Sequence, residues 1–228
     1  MKYITLLFFL CVCPIVLSCG CSSRATDHIV DSLEHEYAQR IFEFQVCGDT
    51  AALGEAMAAV DQLLSMQPDN TKYKMHKAQY LLFGEQFEAC RQMLDEADVT
   101  EVLNRFKMFP EFKKYALTKI DALEARERGD SVRYTGNIAG MEQMLRDVVL
   151  SDDFDLKYYC EHTDELSEDN IWRDTYFRSW LSLLYIQGGK AAVESAVDEI
   201  SDSLRLDDQL SRYRSMTFQG ELNWGIVP

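Results

Sequence analysis

Four histidines, His28, His35, His76 and His162, are the obvious general bases of this chain, and none stands in a His-Glu-x-x-His spacing that would bring two imidazoles to one metal. Cys160-Glu161-His162 with Asp164 has ligand types that suit a transition metal. Adjacent positions in an acidic loop, however, do not converge on one tetrahedral centre. Asp152-Asp153-Phe154-Asp155 is rich in hard oxygen donors but lacks the central Gly and the bidentate Glu of a calcium loop. Gly188-Gly189-Lys190 invites a phosphate-binding reading, which fails because Leu184 stands where the first Gly belongs and Ala191 where Ser or Thr would hold magnesium. No Gly-x-Ser-x-Gly elbow occurs. With 38 Asp plus Glu in the chain, no one carboxylate pair stands out as acid and base. The expectation is a protein without catalytic site, metal or cofactor.

Binding residues are a different matter. Trp172, Tyr176, Phe177, Trp180 and Tyr185 could stack a ligand, but Trp172, Tyr176 and Trp180 recur at four-residue steps, as the packed face of a helix does. Lys72, Lys74, His76 and Lys77 cluster in one segment, and Arg105, Lys107, Lys113, Lys114 and Lys119 follow further on. Acidic residues crowd Asp147 to Asp169. Such a two-signed surface steers charged partners. The whole chain, with 23 Lys plus Arg, carries a net charge of −15, which sets it against phosphate backbones and excludes nucleic acid as a partner.

At 228 residues and 47% hydrophobic, the chain is long and apolar enough for a buried core. Residues 1–18, MKYITLLFFLCVCPIVLS, place Lys2 before a run, Ile4 to Leu17, that is apolar at twelve of fourteen positions. That is short of the roughly 20 residues of a membrane span and suits a signal-peptide core. Val16-Leu17-Ser18-Cys19 resembles the lipobox of bacterial lipoproteins. The resemblance implies cleavage before Cys19, a diacylglyceryl group on its thiol and a palmitate-type chain on the new amine. Cys21 is a second candidate, but Ser18-Cys19-Gly20 before it lacks an aliphatic start. More than one acyl chain gives firm anchoring, and Gly20 to Thr26 is small and polar, so residues 19–29 are expected to be a flexible tether. Cys47, Cys90 and Cys160 show no CxxC unit and read as small buried hydrophobes.

From residue 30 onward, helical periodicity dominates. Leu53, Ala56, Met57, Val60, Leu63 and Leu64 share one face, as do Val193, Ala196, Val197, Ile200 and Leu204. The spacings predict helices over 30–47, 51–66, 71–83, 86–97, 111–128, 133–150, 170–187 and 190–206, with a short helix in 98–110, a polar excursion at 151–169 and a partly docked tail at 207–228. Gly48-Asp49, Gly84-Glu85, Gly129-Asp130 and Gly188-Gly189 punctuate these helices, the first two 36 residues apart. Glycine there would take the left-handed conformation that ends one helix and frees its antiparallel neighbour to begin.

The segment Tyr73 to Ala89 resembles the core of a tetratricopeptide repeat. Ala78 and Ala89 match its small crossing residues, Tyr80 or Leu81 its aromatic position and Gly84 its turn, while Pro68-Asp69-Asn70 resembles the close of a preceding repeat. The spacing from Ala78 to Ala89 is one residue short, and no Trp opens the repeat. The resemblance implies an all-α fold, a right-handed stack of about four antiparallel helix pairs over residues 30–206. It also implies a concave groove for a peptide or protein partner, lined by Lys72, Met75, His76, Gln79, Lys119 and Arg126. The function expected is a non-catalytic protein-interaction module, lipid-anchored at Cys19 in the bacterial cell envelope, on the outer membrane facing the periplasm. Alternatives are an acidic envelope protein that neutralises a basic toxin, or an enzyme with an unrecognised site.

Overall fold

A computed structural model describes residues 24–97, 111–162, 167–223 and 225–226. Among them every regular element is helical: α1 (Arg24–Cys47), α2 (Thr50–Met66), α3 (Thr71–Phe83), α4 (Phe87–Glu96), α5 (Phe112–Glu127), α6 (Ser131–Val149), α7 (Leu156–Glu161), α8 (Glu168–Leu204) and α9 (Asp207–Arg214). None of these helices is long and apolar enough to cross a membrane. The leader, Cys19, Cys21 and the helix expected in 98–110 lie outside the described residues. The chain divides into two compact units, one ending at Tyr80 and one beginning at Leu81.

In the first unit, Leu33, Tyr37 and Ile41 form a buried stripe at four-residue steps on α1, and α2 packs against that helix. The buried face of α2 includes Ala52, Ala56 and Ala59, small side chains that let helix axes approach closely, together with Leu53, Val60 and Leu63. Met57, expected on that face, is only half-buried. Helix α1 begins at Arg24, so part of the stretch expected to be a flexible tether is helical.

The second unit is built around α5, which buries Phe112, Tyr115, Ala116, Lys119, Ile120, Ala122, Leu123, Glu124 and Ala125, more than one face of a helix. It packs against α4 and α6, and α6 packs in turn against α8. Tyr176, Phe177 and Trp180 are core residues of α8, whereas Trp172 and Tyr185 are half-buried.

The Gly-Asp pairs form short helix junctions, Gly48-Asp49 of two residues and Arg128-Gly129-Asp130 of three. Gly48 (φ 70°) and Gly129 (φ 71°) are left-handed. The next residue caps the following helix: Asp49 accepts from the Ala51 N–H at 2.9 Å and Asp130 from the Arg133 N–H at 3.0 Å. Helix α8 is two rods joined at Gly189 (φ 65°, ψ −159°). A Cβ on Gly188 would stand 2.8 Å from the Ala192 Cβ. Close approach and backbone turning together explain Gly188-Gly189. The Gly84 turn differs from expectation: Glu85, not Gly84, takes the left-handed conformation (φ 58°), and the Gln86 N–H closes the turn on the Leu81 carbonyl at 2.8 Å.

Two further expectations are corrected. The 151–169 excursion contains α7, with Phe154, Leu156, Tyr159 and Cys160 buried, because its apolar residues form an inward face between the acids. Cys47 is exposed at the end of α1, while Cys90 and Cys160 are buried, their thiols pushed up to about 12 by burial.

Candidate functional site

The expected groove residues fall in both units. On α3, Lys72, Met75, His76 and Gln79 follow one another at helical steps of three and one, and all are half-buried. Their surroundings are already occupied. Lys72 Nζ donates to Glu34 Oε1 of α1 at 2.8 Å, and the Tyr73 hydroxyl donates to the same oxygen at 2.9 Å. Burial raises the Glu34 carboxyl, but the hydrogen bonds from Lys72 and Tyr73 outweigh it and hold the group below its usual value. His76 lies 3.4 Å from the Tyr37 hydroxyl through Nε2, its ring stacked on Tyr80. Lys77 pairs with Asp61 of α2 at 2.7 Å. Lys72 and Lys77 of α3 are thus each paired with an acid of their own unit. Lys72, expected to line a groove for a partner, is instead engaged by Glu34.

Lys119 is also corrected. It is 1% exposed, and its ammonium lies 5.8 Å from the Tyr115 ring centroid. Burial pushes the amine down to about 7. A helix packed on several sides carries its long side chains inward, so Lys119 does not face a solvent-filled groove.

Arg126, the last of the expected set, sits in a built arrangement in the second unit. Its Nη1 donates to the backbone carbonyl of Leu222 at 3.2 Å. Residues 215–223, 225 and 226 follow α9 without helix or strand, and Leu222 and Ile226 are buried (6% and 2% exposed). The Tyr134 hydroxyl of α6 is hydrogen-bonded to the Leu222 backbone. Phe218 packs against Tyr185 of α8 with ring centroids 6.0 Å apart. Gln219, Gly220, Glu221 and Asn223 are exposed. Arg126 of α5 and Tyr134 of α6 thus meet the Leu222 main chain, and Tyr185 of α8 packs on Phe218.

Two polar clusters of the second unit had no sequence signal. Arg91 of α4 reaches Asp121 at 2.6 Å and also pairs with Glu124, which pairs with Arg128; Arg133 lies 3.5 Å from Asp121. Burial raises the Glu124 carboxyl, but the Arg91 hydrogen bond and nearby guanidinium charges hold it below the usual range. The other cluster joins α7, α8 and α9. The Tyr159 hydroxyl donates to Asp174 Oδ1 and contacts the Tyr213 hydroxyl, while Arg212 donates to the Tyr213 oxygen at 2.7 Å. Arg178 Nε pairs with Asp174 Oδ2 at 2.6 Å. Burial and the neighbouring phenol push the Tyr159 hydroxyl upward, so it stays protonated and serves as a donor rather than a base. These partners are far apart in sequence, and only tertiary packing brings them together.

The metal-type loop residues are arranged for packing. The His162 ring stacks on Tyr158 with centroids 4.1 Å apart, its Nδ1 lies 2.8 Å from the Tyr158 carbonyl, and Cys160 is buried; Asp164 lies outside the described residues. Among the described residues no three His, Cys, Asp or Glu side chains come together as a metal centre. Asp152, Asp153 and Asp155 are exposed. No family model, no curated protein and no solved structure matches the chain. Among the described residues the protein is all-helical, and in its second unit Arg126, Tyr134 and Tyr185 of three helices meet the C-terminal segment.

Proposed function

We propose that this chain is a non-catalytic protein-interaction module, lipid-anchored at Cys19 in a bacterial cell envelope on the outer membrane facing the periplasm. We propose also that its helix pairs continue as a right-handed, tetratricopeptide-like stack. The observation that carries the interaction reading is the grip of Arg126 on the Leu222 carbonyl. A side chain that holds a main-chain carbonyl recognises backbone whatever its sequence, which suits a helical scaffold that takes peptide segments. The lipobox-like Val16-Leu17-Ser18-Cys19 supports the anchor.

The test is site-specific photo-crosslinking in the native host, with the crosslinker replacing Met75, Tyr134 or Asp153 in separate strains and Asp202 as an exposed control. A discrete protein adduct at Met75 or Tyr134, absent at Asp202, is expected. An adduct at Asp153 alone would transfer the activity to the acidic loop and favour the toxin-neutralising alternative. For the anchor, Cys19→Ala should leave an unprocessed or soluble product; an unchanged membrane fraction and mass would contradict it.

A further inference from the structure

We infer that one end of the α1–α2 pair, marked by Ile29 and Met66, is a lipid-contacting edge that dips into a zwitterionic bilayer surface. This rests on the proposed anchor at Cys19 and names the part of the body that meets the membrane. Both residues extend the core rows of their helices. On α1 the four-residue steps that bury Ile41, Tyr37 and Leu33 arrive next at Ile29, which is 52% exposed. On α2 the steps through Ala56, Ala59 and Leu63 arrive at Met66, which is 38% exposed. The short junction at Gly48-Asp49 folds α2 back along α1, so that Met66 comes about level with Asp31. Two apolar rows therefore run out of the core at the same end and finish exposed.

The length of chain before α1 selects what covers them. Cys19 and Arg24 are five residues apart, and a chain of that length reaches at most about 18 Å. An acylated Cys19 therefore holds the first turn of α1 close to the bilayer. The tether makes contact with lipid an intramolecular event at high effective concentration. Asp27, Asp31 and Asp69 are exposed around the same end, which sets it against anionic headgroups and suits zwitterionic ones. Exposed apolar side chains alone do not define this edge. Phe42 and Val46 are 58% and 41% exposed, but they lie toward the other end of α1. Phe42 stands about 27 Å along the helix axis from Arg24 and about 140° round it from Ile29. A bilayer that covers Ile29 and Met66 leaves Phe42 and Val46 in water.

The test places the unaltered, acylated full chain in phosphatidylcholine vesicles that carry a photoactivatable carbene precursor on an acyl chain, and maps the lipid adducts by mass spectrometry. Residues 27–31 and 64–68 should carry at least about fivefold more adduct than residues 40–46. Equal labelling of the two ends of α1, or no adduct at Ile29 and Met66 in a chain that floats with the vesicles, would overturn the inference and leave the anchor standing. A chain that lacks acyl groups and does not float would overturn the anchor, and this inference with it. Full-length Ile29→Asp/Met66→Asp provides a second arm. It should still float through Cys19 and keep its helical spectrum, yet lose the labelling of both segments. Unchanged labelling in that variant would overturn the lipid-contacting edge.

Discussion

Lys119 shows how much one side chain depends on its setting. Its amine sits near 7 in the folded chain against an ordinary 10.5. Between those values the unfolded chain binds more protons at this site than the folded one does. Stability should therefore rise as pH climbs from about 7 toward 10, with the full burial penalty present below 7. Denaturant melts across that range check the slope, and Lys119→Met should flatten it. Lys119→Glu should cost more than about 3 kcal/mol, whereas an exposed site would change by about ±0.5 kcal/mol. Glu85 lies at the opposite extreme. It is exposed and left-handed at φ 58°, so Glu85→Gly should raise stability by about 0.5–1 kcal/mol in chemical denaturation, by relieving a conformation that glycine takes without strain.

At the scale of elements, the Gly-Asp junctions and the Tyr159–Asp174–Tyr213–Arg212 cluster hold helices in place by different means. Asp130→Ala removes the cap of α6 and should cost about 1 kcal/mol. Tyr213→Phe leaves Asp174 and Arg212 with one hydroxyl fewer in a buried network and should cost about 1–3 kcal/mol, with α9 losing amide protection first. The helices themselves were legible in the sequence: α2, α3, α4, α5 and α6 begin and end within about two residues of the spacings that predict them. The Gly189 break was legible too, since two adjacent glycines interrupt an otherwise helical pattern. What escaped depends on contacts between distant segments. Lys119 reads as solvent-facing until α5 is seen to be packed on several sides. Likewise, α7 hides its inward Leu156 and Tyr159 among acids, and the left-handed position slips from Gly84 to Glu85 because the closing hydrogen bond runs from Gln86 to Leu81.

At the scale of the molecule, the expected groove residues take separate fates. Lys72 and His76 of α3 find partners within the first unit, Lys119 is core, and Arg126 holds the Leu222 backbone. The reading of this protein as a peptide-holding helical scaffold thus rests on the second unit and its C-terminal segment. Hydrogen exchange at the amides of 216–226 in the full chain tests that claim most directly. Slowed exchange at the amides around Leu222, lost when Arg126→Ala frees the Leu222 carbonyl and undocks the segment while α5 and α6 keep their protection, is the expected result. A Leu222 amide that exchanges at the rate of an unstructured peptide in the unaltered chain would contradict it.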